Sequence, residues 1–397
     1  MLLILPAIMH GFQKTNQKND ITIYRFKFYE FSFMYFRQSI ISISIIIFIL
    51  VSGCKKNPEQ ISKTSDVKQK LSEYGFFEGK LSDLKPKADV LPYDLNTPLF
   101  TDYAYKTRFI WMPKDSSAKY NPDYVLEFPK GTVLIKNFYY HHDERKPEEG
   151  RRIIETRLLI NNEKGWEVLT YIWNKEQTEA IFDKAGDILP VSWVNGSGKD
   201  MSIQYIIPNK NQCKSCHTYK GNFTPIGPKV AHLNRDFVYA DGPQNQLAKW
   251  QSVGYLTGYD PNQEHPKAAN MDDKSKSIHD RAMAYLDINC AHCHNPHGAA
   301  NTSGLTLTYD SPMDLNLGIY KATVSAGAGT GGNTYSIVPG KPEESILIYR
   351  IQSTNPGAMM PELGRTLVHD EGVALISDWI KGMNPKEFDH IEKGLLK

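Results

Sequence analysis

Two pentapeptides in this chain share one pattern, Cys-x-x-Cys-His. They are Cys213-Lys214-Ser215-Cys216-His217 and Cys290-Ala291-His292-Cys293-His294. Two thiols three positions apart, with an imidazole directly after the second, is the pattern that attaches a c-type haem. Each thiol adds to one vinyl group, one helical turn spans the two vinyl positions, and the adjacent imidazole reaches the iron. With 5 Cys and 12 His in 397 residues, about 0.002 such matches are expected by chance for so short a motif. Two matches predict two covalently bound c-type haems, held by Cys213 and Cys216 and by Cys290 and Cys293, with His217 and His294 as proximal iron ligands.

The sixth ligands are less evident. A methionine thioether favours ferrous iron and raises the potential. Met360 suits the second haem, since Met360-Pro361-Glu362-Leu363-Gly364 is a Gly-containing loop shortly before the C-terminal helical segment; Met359 is the neighbouring alternative. For the first haem Met201, His232 and Met271 are all conceivable, and so is an open position. The carbonyl of Pro296 is placed to accept the His294 N–H and fix the ring. His292 and His297 flank the second motif and are expected to face solvent.

The remaining cysteine, Cys54, ends the segment Val51-Ser52-Gly53-Cys54, which reads as a lipobox. Ahead of it, Arg37 supplies a positive region and Ile40 to Val51 an apolar stretch too short to span a bilayer well. Met34 is the natural start of this signal, and residues 1–33 are then upstream sequence or a genuine long extension. Residues 34–53 form the signal peptide and 54–70 a polar, Lys-rich tether. Lipid at Cys54 would anchor the protein to a membrane facing the periplasm or cell surface, because two acyl chains bury enough CH₂ groups to resist release. Lys55 after Cys54, in place of Asp, disfavours inner-membrane retention. Export agrees with the haem motifs, because c-type haem is attached outside the cytoplasm. A net charge of +2 lends no support to nucleic-acid binding.

These motifs need elements to hold them. The fold expected is α+β: a β-rich domain over 71–205, a first haem region over 206–274, and a mainly α-helical, loop-rich cytochrome c domain over 275–397. The strongest β signal is a hairpin, Ile153 to Ile160 and Trp166 to Trp173, joined by Asn161 to Gly165. Val125 to Phe128, Thr132 to Tyr140 and Met201 to Ile207 read as further extended runs. Gln244 to Val253 suits a short helix. Ser275 to Asn289 has helical periodicity and runs into Cys290, and Asp370 can cap a helix through Val373, Ile376 and Trp379. Short strands are expected at Leu305 to Tyr309 and Ile346 to Ile351. Two other patterns carry little. Gly327 to Gly332 matches G-x-G-x-x-G but lacks a following helix. His141 to Glu144 is a charged turn.

The chain resembles a family of bacterial dihaem c-type cytochromes. Besides the two motifs, the likeness rests on Leu91-Pro92-Tyr93-Asp94-Leu95, Pro98-Leu99-Phe100, Glu155-Thr156-Arg157-Leu158-Leu159, Asn211-Gln212, Arg281 with Ala284-Tyr285-Leu286 before Asn289-Cys290, Pro339-Gly340-Lys341-Pro342-Glu343 and Met360 to Gly364. The resemblance implies two covalent haems and export, and carries no settled reaction. The function expected is single-electron transfer between redox partners outside the cytoplasm, whether redox proteins or quinone-linked donors. The alternatives are a dihaem oxidoreductase, peroxidase-like or a dehydrogenase subunit, with one open haem, and a surface binding protein that uses the β domain.

Overall fold

The computed structural model describes residues 67–395, Ser325 excepted. Cys54, the signal segment 34–53, the extension 1–33 and all of the 54–70 tether before Val67 lie outside the described residues. The centre of the fold is a six-stranded antiparallel sheet. Its strands are β1 (Val90–Tyr93), β2 (Tyr105–Trp111), β4 (Val133–His141), β5 (Arg151–Asn162), β6 (Gly165–Trp173) and β7 (Ala180–Asp183), hydrogen-bonded in that order. The two-residue strand β3 (Ala118–Lys119) lies apart and pairs with Leu256–Thr257. β8 (Asp187–Val194) and β9 (Asp200–Ile207) form a separate hairpin.

Both faces of the sheet are covered. On one face Phe109, Ile135, Leu158, Leu169 and Tyr171 pack against Leu71, Phe76 and Leu84 of the preceding segment. On the other, alternation along β4 sends Leu134 toward the haem-motif half of the chain and Phe138 and Tyr140 toward the β8–β9 hairpin. The expected β5–β6 hairpin is present. Its connection is tighter than read, since Asn161 and Asn162 still pair with Trp166 and Gly165.

The expectation of an α+β chain with a mainly α-helical haem region is overturned. The chain is mainly β, with 28% strand and 25% helix. Helices after the sheet are short: α1 (Lys210–Cys216), α2 (Gln246–Ser252), α3 (Ile278–Leu286), α4 (Ile346–Gln352) and α5 (Asp370–Lys381). Proline and glycine pairs such as Gly227-Pro228 and Pro339-Gly340 stop helices from lengthening, so the region between them is turns. The strand expected at Ile346 to Ile351 is α4, because a short β-branched run does not distinguish helix from strand. Leu305 to Tyr309 and Val125 to Phe128 form no strand. Asp370 is the first residue of α5 rather than its cap, a place His369 takes without a side-chain bond.

The crossing of α3 and α5 is as expected. Tyr285, Leu286, Ile376, Trp379 and Ile380 share one apolar core. Gly372 makes that approach possible: a Cβ there would lie 2.3 Å from the Tyr285 hydroxyl.

Candidate functional site

The first pentapeptide is helical because its ends are satisfied. The Asn209 side chain accepts from the amides of Asn211 and Gln212, and Gln212 returns a bond to the Asn209 amide at 2.9 Å. Cys213 and Cys216, three apart on α1, therefore share a face, and His217 follows at the helix end. The second pentapeptide continues from α3 through a wider turn, Asp287–Ala291. Asn289 locks it by donating to the Tyr285 carbonyl and accepting from the Phe100 amide. The amides of Cys293 and His294 then both donate to the Cys290 carbonyl.

The two imidazoles that end the pentapeptides are fixed in the same sense by different partners. His217 Nδ1 donates to the Thr224 carbonyl at 2.9 Å, and its ring stacks on Phe223 at 4.9 Å. His294 Nδ1 lies 3.0 Å from Ser303 Oγ. That hydroxyl gives its own proton to the Ala300 carbonyl, so it accepts from the imidazole. The Pro296 carbonyl expected in this role is not the partner, and Pro296 is exposed. With Nδ1 donating, Nε2 of each ring is left as the metal-binding nitrogen. Burial pushes the His217 imidazole down to about 3 and that of His294 down to about 4, which keeps both neutral, as metal ligation needs.

The fold brings the two pentapeptides together. Lys220 N–H donates to the His297 carbonyl at 3.0 Å, and Tyr219 bridges to Gly298. The ligand atoms of Cys216, His292 and Cys293 all lie within 4.8 Å of one another. Cys216 is pushed down to about 5, chiefly by the neighbouring Cys293 thiol and also by His292, while Cys293 is raised by the same contact. Burial pushes Cys290 up to about 12 and Cys213 upward. With free thiols, the S₂N set of Cys216, His292 and Cys293 suits zinc. Once Cys216 and Cys293 are alkylated, that set cannot form.

Cys213, Cys216 and His217 open on a cavity between α1, the sheet and the Met360–Gly364 loop. Its walls include Tyr93, Leu99, Phe100, Leu134, Leu159 and Leu363. Several strings that carry the family resemblance, namely Leu91 to Leu95, Pro98 to Phe100, Glu155 to Leu159 and Met360 to Gly364, each place residues on these walls. The Arg108 side chain, 4% exposed, also lines it, and its Nη2 has no hydrogen-bond partner. Free Nε2 atoms, paired thiols on one face, apolar walls and an orphaned buried guanidinium nitrogen fit a covalently held haem.

The sixth-ligand candidates for the first motif fare differently. Met201 packs beside the β8–β9 core and Met271 lies in the core of α3 and α5. His232 is wholly buried, with Nε2 held by Asp287 at 2.8 Å, beside Lys229 at 2.9 Å from the same carboxylate. None of the three lines the cavity. His292 does, together with His217. The expectation that His292 faces solvent is wrong: it is half-buried, and its Nδ1 is buried without a partner. The periodicity of a five-residue motif carries no sign of which neighbouring element will cover it. His297 is exposed. Met360 is half-buried, and Met359 beside it is buried. The Met360 amide donates to the Arg350 carbonyl and its carbonyl accepts from Arg365. The charge of Arg350 also acts on His294, which places the methionine loop in the neighbourhood of the second motif.

Among the described residues, Cys216, His292 and Cys293 are the one group of three or more potential metal ligands; His141 to Glu144 is not another. Gly327–Thr330 forms a single short turn packed on Arg350 and Tyr349 of α4, not a phosphate loop. No family model matches the chain, and no curated protein or solved structure matches it.

Proposed function

We propose that the protein carries two covalent c-type haems, at Cys213, Cys216 and His217 and at Cys290, Cys293 and His294, and passes single electrons between redox partners outside the cytoplasm. Bound haem supplies a one-electron iron couple. The residues supply the rest. Thr224 and Ser303 hold the two proximal rings in the tautomer that leaves Nε2 free. His292 is the imidazole available to complete the first iron, and Met360 is the thioether available to the second. The lipid anchor at Cys54 keeps the relay at a membrane.

The observation that carries this reading is the contact of the two pentapeptides, with Cys216 and Cys293 among three ligand atoms within 4.8 Å. Haems attached there would be held close to one another, which would suit transfer from one to the other.

A second reading has its own support. Among the described residues, His292 is the one methionine or histidine besides His217 on the cavity wall. If His292 stays off the iron, that iron is open and the protein is a dihaem oxidoreductase.

Peptide mass analysis tests the haems: both motif peptides should carry the added mass. A chain that holds zinc and free thiols instead overturns the proposal. Carbon monoxide added to the reduced protein then separates the two readings. An unchanged Soret band in the natural protein, with half of it shifting in His292→Ala, is the expected result. A half shift in the natural protein moves the assignment to the oxidoreductase.

A further inference from the structure

The sheet face that walls the cavity beside Cys213 carries two adjacent rows with opposite chemistry. Ile110, Leu134, Leu159 and Val168 are cross-strand partners in one row. Two positions along, Arg108, Lys136 and Arg157 are cross-strand partners in the next. Alternation puts residues two apart on the same face, so an apolar stripe lies beside a cationic one.

Like charges directly opposite one another on a sheet are destabilising. A row of three therefore needs a counter-charge. The chain provides only part of it. Asp94 bonds one nitrogen of Arg108 at 2.5 Å, and Arg108 Nη2 is left buried and unpartnered. Glu155, itself wholly buried, takes Arg157 through both oxygens and also accepts from Tyr205. Lys136, between the two, has no ion-pair partner among the described residues. Burial and the flanking cations press its ammonium well below the ordinary range. Three cations thus face two carboxylates, and Arg108, Lys136 and Arg157 all line the cavity that Cys213, Cys216 and His217 open on.

We infer that this row seats the carboxylates of the cavity's ligand, an amphipathic dianion whose hydrocarbon body meets the apolar row. On the function proposed above, on which this rests, those carboxylates are the two propionates of the first haem. Arg108 and Lys136 are then positioning residues that fix the tetrapyrrole in its cavity and raise its affinity for an electron. The second haem has no part in the row.

The test uses the mature dihaem protein and the variants Lys136→Met and Arg108→Gln. Lys136→Met removes a like charge, so it keeps the fold where Arg108→Gln strands Asp94. In Lys136→Met, one of the two couples should fall by about tenfold in the reduced-to-oxidised ratio at fixed ambient potential, ~59 mV for one electron, while the other stays. The propionate bands in resonance Raman spectra of that haem should move in both variants. If both motif peptides carry haem, yet neither potential nor bands change in either variant, the row does not hold the carboxylates. If inorganic phosphate shifts the spectrum of the natural protein and Lys136→Met abolishes that shift, the row is free for external anions and the assignment falls. If the peptide holding Cys213 and Cys216 carries no haem in the natural protein, the underlying function fails, and the inference with it.

Discussion

Ser303→Ala removes the acceptor of the His294 ring while leaving every backbone group in place. In the structure, Ser303 Oγ takes the Nδ1 proton at 3.0 Å, takes the Leu305 amide at 3.2 Å and gives its own proton to Ala300 at 2.7 Å. A net hydrogen bond is worth about 1 kcal/mol, and a buried donor left without a partner costs about 1–3 kcal/mol. The thermal midpoint should fall by roughly 2–4 °C for each kcal/mol lost, the scale for domains of this order of size. The redox effect follows from the same bond. A donated Nδ1 proton makes the imidazole a stronger base and favours oxidised iron. On the proposed function, loss of that bond should raise the potential of the haem at Cys290 and Cys293, and 1 kcal/mol corresponds to about 40 mV for one electron. Thr224→Ala is the matched control, because His217 uses the Thr224 main-chain carbonyl, which the substitution leaves intact. Redox titration with resolved couples is the assay. If Thr224→Ala shifts the first couple as far as Ser303→Ala shifts the second, or if Ser303→Ala shifts both equally, the tautomer assignment is wrong.

Asp287→Asn breaks a buried ion pair with Lys229 and takes the charge from the partner of His232. It should cost about 3–5 kcal/mol, read as a lower midpoint in chemical denaturation; a change below about 1 kcal/mol would show that the cluster is solvated. Gly372→Ala should destabilise by about 1–3 kcal/mol through overpacking against Tyr285, and Gly372→Ala combined with Tyr285→Phe should recover part of that loss because the nearest clashing atom is the hydroxyl. His369, stacked on Phe100 at 4.2 Å, is held down to about 4 by burial. The unfolded chain binds a proton near pH 6.5 that the folded one does not, so its contribution is complete above that pH and is lost as pH falls toward 4, by up to about 1.4 kcal/mol per unit. His369→Gln should flatten the pH dependence of the unfolding midpoint over that window, and an unchanged slope counts against the burial of the ring.

Local patterns were legible and cross-strand ones were not. The β5–β6 hairpin, the helix running into Cys290 and its crossing with α5 follow from periodicity within one segment. The α4 helix was misread, since Ile346, Ile348 and Ile351 suit either period in so short a run. The cationic row was invisible. Arg108, Lys136 and Arg157 become neighbours only when the register of β2, β4 and β5 is known. Single-chain spacing singles out His217 and His294 as candidate ligands, but not the atoms that orient them. Pro296 was the natural guess by proximity, yet Ser303 and Thr224 are the partners, nine and seven residues downstream of their rings. The burial of His292 is likewise a property of two motifs meeting from 77 positions apart.

The order of the elements along the chain sets a timetable for assembly. The sheet strands that wall the cavity beside Cys213 all precede it, and the second pentapeptide comes last. A chain synthesised or exported from its N-terminus can therefore finish one wall before the first thiols emerge. On the proposed function, both pentapeptides would be loaded before the Phe100–Asn289 bond ties the second to the segment after β1 and the Tyr219–Gly298 bridge closes the two together. Those contacts would then form last, with the sheet as the surface onto which the loaded segments are laid. A fragment that begins after Ile207 keeps both attachment sequences and loses the surface on which the first of them is meant to settle.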